Sequence, residues 1–421
     1  MRKTLSKAPI LLSAEQSDMA EHPDSMQNRL KKATCTGCAA CYNVCPVKAI
    51  SMREDGEGFL YPVIDEEKCT ECALCEKKCP VLSREKLTRN RERPDVYAAW
   101  HKNLEIRLQS SSGAAFTALA TAVLNKGGRV FGAAFDEDFL VYHKVVDTLE
   151  ELEDLRRSKY VQSRIGDSLA QAKNELNQGK TVLFSGTPCQ IAGFYAYLGQ
   201  DYTTLFTCSL ICKGVPSSKV FRKYLDYLEK YYDSPVISYS FRDKGFGWAP
   251  NEAVLFANGE ERLSNYFKHE TLYYYAFATK SLFLRPSCHT CPFKGLPADA
   301  DITLADFWSI RNQEPGWDDN KGTSLILINS DKGSDLFEDA KAELVTKLCP
   351  FDYIINNSGL MNSPRRPRVR ERFFKDLDLL PFELLISKYM TPPHPLVQSM
   401  QKRVLYMKTF IKKVIGRKLE S

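Results

Sequence analysis

"CTGCAACYNVCP", residues 35–46, sets four cysteines in the order C-x2-C-x2-C-x3-C and follows the last with a proline. The pattern returns as "CTECALCEKKCP", residues 69–80, so that Cys35, Cys38, Cys41 and Cys45 recur 34 residues later as Cys69, Cys72, Cys75 and Cys79. Three thiolates this close together can wrap one cube of iron and sulfide. The fourth, held beyond the turn that Pro46 or Pro80 imposes, reaches a second cube. The spacing therefore predicts two [4Fe-4S] clusters, one on Cys35, Cys38, Cys41 and Cys79, the other on Cys69, Cys72, Cys75 and Cys45. Zinc is the alternative for clustered cysteines; two complete runs with both prolines argue against it. The period matches some helical repeats, but two copies cannot build a solenoid. Between the runs, "DGEGFLYPVIDEEK" (55–68) reads as a short hairpin over the clusters.

Outward from this 34–82 module, residues 1–33 read as a flexible polar lead-in. The apolar stretch there, "APILL", is far shorter than the core of a signal peptide. No apolar run approaches the roughly 18–20 residues that cross a bilayer. The chain has 14 cysteines, in ligand-like spacings and not in the scatter of a secreted disulfide scaffold, which points to a reducing, cytoplasmic setting. The net charge of +6 is uneven: residues 34–82 carry five Lys/Arg against eight Asp/Glu, and residues 395–421 seven against one. On the far side of the module "SREKLTRNRERPD" (83–95) is charged and poor in apolar residues, a solvated linker.

From "VYAAW" (96–100) onward, strand-like and helix-like stretches alternate. "GAAFTALATAVLNKGG" has apolar residues at helical spacing and stops at Gly127–Gly128. "RVFGAAF" and "LVYHKVV" read as strands, "LEELEDLRR" as a polar helix and "TVLFSG" as a buried strand. "TPCQIAGFYAYL" starts a helix with Pro188 in its first turn. "TLFTCSLIC" is a further buried strand, "SKVFRKYLDYLEKYY" a helix, and "EAVLFANGEERL" a hairpin on its Asn-Gly turn. "TSLILINS" and "DKGSDLFEDAKAEL" add a strand and a helix. The expected architecture is an α/β (α+β) domain over 96–375, behind a small bacterial-ferredoxin-like 2x[4Fe-4S] domain. It lacks G-x-G-x-x-G and a complete phosphate loop, so a nucleotide-like cofactor would need another scaffold.

Six cysteines remain: Cys189, Cys208, Cys212, Cys288, Cys291 and Cys349. Cys189 in "SGTPCQ" and Cys212 in "CKGVPS" fall at strand-to-helix junctions, the carboxyl ends where α/β sheets place ligands. "SCHTCPFKG" (287–295) supplies the pair Cys288 and Cys291. Cys208 competes with Cys212, lying four residues before it on the same strand face. For Cys208 and for the lone Cys349, a small buried hydrophobe is the simpler reading. Four ligands from three segments could hold a third cluster or a structural zinc.

The segments "QSSSGAAFTALA", "SKYVQS", "FSGTPCQIAG", "LICKGVPSSKVF", "FRDKGFGW", "CHTCPF" and "ADITLADFW" follow in an order that resembles the beta subunit of coenzyme F420 (deazaflavin) hydrogenase/dehydrogenase and its relatives. An N-terminal double-cluster module is similar to bacterial members of that family, many associated with surface-polysaccharide gene clusters. The resemblance implies a flavoprotein-type domain binding FAD and a further [4Fe-4S] cluster. It carries the cluster-ligand positions onto Cys189, Cys212, Cys288 and Cys291. It also sets Ser111, Ser112 and Gly113 of "SSSG" and Lys159 and Tyr160 of "SKYVQS" near the flavin, although Lys159 and Tyr160 could equally cap a loop. Ala114 and Lys213 depart from the glycine and histidine that relatives often show. Asp301, Asp306 and Trp308 offer acids beside a cofactor, or equally a helix cap or a buried hydrogen bond.

The implied activity is an iron–sulfur flavoprotein oxidoreductase: electrons pass between an external partner such as ferredoxin or a reduced coenzyme, the clusters, FAD and a small two-electron substrate, with a glycan precursor as one candidate. The alternative is a non-catalytic subunit feeding a partner enzyme. Near the end, "RRPRVRER" (365–372) reads first as a solvated face. In the basic region 376–421, Leu396, Met400, Val404, Met407, Ile411 and Val414 form one helical stripe, suited to peripheral contact with an anionic membrane or to docking on its own domain. No nucleic-acid motif is present.

Overall fold

The computed structural model describes residues 32–83 and 90–392. The stripe between Leu396 and Val414 therefore lies outside the described residues. Among those described, no helix is long and apolar enough to cross a membrane.

Each cysteine run turns into a short helix, α1 (Ala40–Val44) and α2 (Leu74–Lys77), through the same backbone path. Gly37 and Ala39 have φ of 69° and 59°, and their counterparts Glu71 and Ala73 have 53° and 56°. Left-handed backbone is unfavourable for residues with a Cβ by roughly 1–2 kcal/mol. Its recurrence at matching positions shows that both loops are held in one shape. Between them, β1 (Ile50–Glu54) and β2 (Leu60–Ile64) pair antiparallel with Ile50 opposite Ile64; the hairpin expected within 55–68 thus starts earlier, with only its turn and second strand in that segment.

The main body is built on a mixed sheet of eight strands in the order β13-β3-β12-β11-β7-β6-β4-β5. Its centre, β11 (Ile302–Asp306), β7 (Leu205–Leu210), β6 (Val182–Gly186) and β4 (Arg129–Phe135), is parallel. β5 (Val141–Val146), β12 (Ser324–Ile328), β3 (Asp95–His101) and β13 (Leu344–Cys349) flank it antiparallel. A second sheet, β8 (Val236–Asp243), β9 (Asn251–Phe256) and β10 (Glu261–Ser264), contains the Asn258–Gly259 hairpin.

The helices cover these sheets. α3 (Ala115–Leu124) begins at Ala114, whose φ of 66° explains why a glycine suits that position. The polar helix expected over "LEELEDLRR" shrinks to α4 (Leu152–Leu155), because only Leu152 and Leu155 find apolar cover. α5 (Ser168–Asn177), α6 (Pro188–Leu198), α7 (Ser218–Tyr232), α8 (Asp331–Ala340) and α9 (Arg370–Leu379) are the other long helices, beside several of three to five residues. α6 opens with Pro188 at its first position and a reciprocal Thr187–Gln190 capping box.

The cysteine module and the main body share their apolar interior. Phe59, Tyr61, Cys35 and Cys41 pack into one cluster with Phe221, Tyr224, Phe283 and Phe373. Ala39 and Ala40 join Phe184, Ile191 and Phe194 in another. The hairpin tip docks on the start of α7, where Ser218 Oγ donates to the Gly58 carbonyl (2.7 Å). Arg370, expected on a solvated face, is buried instead. It forks onto Glu57 (Nη1–Oε1 2.8 Å) and donates from Nε to the Leu284 carbonyl (3.1 Å).

Candidate metal centres and their connection

Cys35, Cys38, Cys41 and Cys79 line one pocket, together with Met52, Pro62, Pro80 and Val81. All four are buried. Burial pushes the Cys38 thiol up to about 12, and the neighbouring charges of Cys79 and Cys35 add to this. Cys41 is raised well above its ordinary value, again by burial and then by Cys38, Cys35 and Cys79. Without a cation these groups stay neutral thiols; ligation is what makes them thiolates. The grouping takes three ligands from the first run and its fourth from the second.

The remaining four lie nearer the surface. Cys45, Cys69 and Cys75 are half-buried and Cys72 is exposed. The Cys75 thiol is raised mainly by burial, with Cys72 contributing. The Ala49 N–H donates to Cys45 Sγ at 3.2 Å.

The third group forms across the sheet's parallel centre. β6 and β7 are adjacent and parallel, so their carboxyl ends bring Cys189, in the first turn of α6, beside Cys212, just after β7. Cys288 and Cys291 reach the same point. Burial raises the Cys189 thiol well above its ordinary value, followed by the charge of Cys291 and, further down, of Cys212 and Cys288. Cys288 is pushed up to about 12 by burial, with Cys212 the next cause. Polar hydrogens already aim at these sulfurs. The Gly214 N–H donates to Cys212 Sγ (3.3 Å) and the Val215 N–H to Cys288 Sγ (3.4 Å), while Thr187 Oγ1 lies 3.1 Å from Cys189 Sγ. Such hydrogen bonds are among the levers that set a cluster's potential. Cys208 stays apart, packed with Leu183 and Ile302, and Cys349 is buried beside Val96 and Leu327. Among the described residues no three Cys, His, Asp or Glu side chains converge as ligands of one metal ion do.

One helix joins two of these centres. A Cβ at Gly193, in the middle of α6, would stand 2.8 Å from both Cβ and Sγ of Cys38. Cys189 lies four residues earlier on the same helix, a rise of about 6 Å.

The segments named for a flavin also converge, though their polar atoms are used by the chain itself. Ser111 Oγ accepts from the Ser158 N–H (2.8 Å), and Ser112 Oγ donates to the Thr323 carbonyl (2.9 Å). Lys159 Nζ donates to the carbonyls of Asp154 and Arg156, both at 2.7 Å, and so caps the end of α4. Gly113 is a packing glycine: a Cβ there would meet the Ala99 carbonyl oxygen at 2.2 Å. Tyr160 OH accepts from Arg242 Nη1 (3.1 Å), and the same guanidinium forks onto Asp306 (2.6 and 3.0 Å). Trp248 Nε1 also donates to Asp306 (3.0 Å), and Trp308 stacks on Trp248 with centroids 4.3 Å apart. Desolvation pushes Lys159 and Lys244 down to about 7, Arg157 adding to the first and Arg107 to the second. Asp301 proves to be a buried hydrogen-bond hub, accepting from Thr207 N–H (2.9 Å), Thr207 Oγ1 (2.8 Å) and Ser330 Oγ (2.6 Å).

Sequence reasoning misses Arg242 and Arg285. "FRDKGFGW" stands out as a motif without singling out its arginine, and Arg285 precedes "PSCHTC" as one basic residue among many.

Comparison with known proteins gives two family matches, one for each part of the chain. Residues 34–82 match the family model of the 4Fe-4S dicluster domain. Residues 179–353 match that of the C terminus of the coenzyme F420 hydrogenase/dehydrogenase beta subunit. No curated protein matches the chain. Among solved structures, a chain of the F420-reducing [NiFe] hydrogenase complex from Methanosarcina barkeri is similar at 19% identity, over 75% of this chain and 92% of that one, with a TM-score of 0.42.

Proposed function

From a chain that matches the coenzyme F420 hydrogenase beta-subunit family and carries a 4Fe-4S dicluster domain, we propose an iron–sulfur oxidoreductase with three linked [4Fe-4S] centres. In this reading Cys35, Cys38, Cys41 and Cys79 hold the first, Cys69, Cys72, Cys75 and Cys45 the second, and Cys189, Cys212, Cys288 and Cys291 the third. The observation that carries it is α6: Cys189 stands in its first turn and Cys38 packs against Gly193 one turn on.

A [4Fe-4S] group supplies reversible one-electron exchange. The protein supplies the rest. Four thiols per group fit the ligand count, and Met52, Pro62 and Val81 give the first an apolar lining. The Gly214 and Val215 N–H groups stabilise negative charge on the third. The exposed Cys72 marks the second group as the side that meets an external donor or acceptor.

FAD does not find its contacts in this arrangement. Ser111, Ser112 and Lys159 spend hydrogen bonds on the chain's own backbone, and Gly113 faces β3 and β12. That same observation favours a second reading, an electron-transfer subunit whose two-electron chemistry takes place on a partner enzyme. The glycan substrate suggested by the resemblance has no residue assigned to it.

Anaerobic purification with iron, sulfide and flavin quantification tests both readings. About twelve irons per chain are expected for three clusters; about eight would remove the third. Flavin at one per chain, with turnover by the isolated chain, would return the active site to this protein.

A further inference from the structure

Arg285 is fully buried between the first and third groups of cysteines. Its own carbonyl accepts the N–H of Cys288 (3.0 Å). Its side chain runs the opposite way, into the dicluster module. Nε donates to the Cys35 carbonyl (2.7 Å), and Nη2 to Cys35 Sγ (3.5 Å) and the Leu60 carbonyl (3.0 Å). Nη1 donates to Gln162 Oε1 (3.0 Å). The guanidinium lies 4.1 Å from the Tyr61 ring centroid and 5.7 Å from that of Phe59. Gly37 makes the room: a Cβ there would stand 2.9 Å from Nη1 and 2.5 Å from Gln162 Nε2.

None of these acceptors is a carboxylate. An isolated buried cation is penalised by several kcal/mol, and the other buried arginines among the described residues, Arg107, Arg242 and Arg370, have Asp319, Asp306 and Glu57 beside them. The anionic group nearest Arg285 is Cys35 once that thiol is a ligand.

We infer that Arg285 is a positioning residue for electron passage. Its charge offsets the thiolates of the Cys35 group and raises the reduction potential of the cluster they hold, while its backbone fixes Cys288 of the next group. This rests on the three-centre reading above. Reduction adds one electron and breaks no bond, so the guanidinium acts only through the field it places on the added negative charge.

The test is an EPR-monitored redox titration of the full chain, prepared anaerobically and reduced with dithionite through mediators. Arg285→Gln is expected to lower the reduced-to-oxidised ratio of one cluster about tenfold at a fixed potential, equivalent to about 59 mV for one electron, and to leave the others in place. Arg285→Lys, which keeps the charge and loses the fork, recovers most of that shift. Gln162→Glu sets a carboxylate against the guanidinium without removing it, and is expected to lower the same cluster in the same direction. It decides the matter if Arg285→Gln fails to take up iron. Full iron content with wild-type potentials in Arg285→Gln or in Gln162→Glu overturns the inference and leaves the three-centre reading standing. A Cys38→Ser chain with the wild-type iron count would sink that reading itself, and the role of Arg285 with it.

Discussion

Replacing Gly193 by alanine sets two effects of opposite sign against each other. In an ordinary helix interior, Gly→Ala stabilises by roughly 0.5–1 kcal/mol, because glycine loses more freedom on folding. In α6 the new methyl would stand 2.8 Å from Cβ and Sγ of Cys38. Carbon contacts settle near 3.5–4.0 Å, so the loop carrying Cys38 must retreat by about 1 Å. Neither atom is the far end of a flexible chain, and overpacking of this kind costs about 1–3 kcal/mol. The net expectation is destabilisation by about 0.5–2 kcal/mol, a fall of a few degrees in Tm. Displacement of Cys38 should also disturb the first cluster. Calorimetry under anaerobic conditions gives the first quantity, and iron content with the EPR line shape the second. Gly56→Ala is the control, since a Cβ there meets nothing within 4 Å. It should be neutral or slightly stabilising. A Gly193→Ala chain that melts higher than wild type with an unchanged EPR signal would refute the contact between α6 and the dicluster module.

Further expectations separate the cysteines and the buried charges. Cys189→Ser and Cys291→Ser should each lose about four irons, whereas Cys208→Ser should keep the wild-type iron and lose only stability, because it buries a hydroxyl among Leu183 and Ile302; iron assay of the three side by side decides. Glu57→Ala strands the buried Arg370 guanidinium and should destabilise toward the low end of about 3–5 kcal/mol, Glu57 itself being partly exposed, as denaturant melts would show. Burial lowers His143 from 6.5 to about 4, with the Ser185 carbonyl opposing. The unfolded chain therefore binds the proton first: this contribution is complete above pH 6.5 and is lost as pH falls toward 4, by about 3 kcal/mol in all. His143→Gln should flatten the stability profile in that window, and a slope equal to wild type would contradict it.

Much of this was readable in advance. The doubled cysteine run predicts a cross-paired grouping, of which the structure gathers Cys35, Cys38, Cys41 and Cys79 around one pocket, and Cys189 and Cys212 could be placed at strand ends because "TVLFSG" and "TLFTCSLIC" are strongly apolar and end in breaker residues. The long, strongly patterned helices α6 and α7 fell where periodicity put them. The polar "LEELEDLRR" did not, since charge alone gives a helix nothing to pack against. Long-range pairing was the part beyond reach. Nothing local says that β13 joins β3, or that Arg370 crosses the fold to Glu57. The roles of Ser112 and Gly113 depended in the same way on a distant strand, β12, which Gly113 touches through the Ser324 hydroxyl at 2.9 Å.

The shared interior also bears on how such a chain could be taken apart. By sequence it is two modules with a charged joint at 83–95, an invitation to cut there. Yet Cys35, Phe59 and Tyr61 lie in one apolar cluster with Phe221 and Phe373, and Gly37, Gly58 and Gly193 are all points where the two parts touch too closely for a side chain. Severed at the joint, each part would expose a wet aromatic face. A ferredoxin module from elsewhere could be grafted on only by bringing glycines and Arg285 into matching register. What looks like a plug-in electron carrier is built in, and the two halves are constrained to change together.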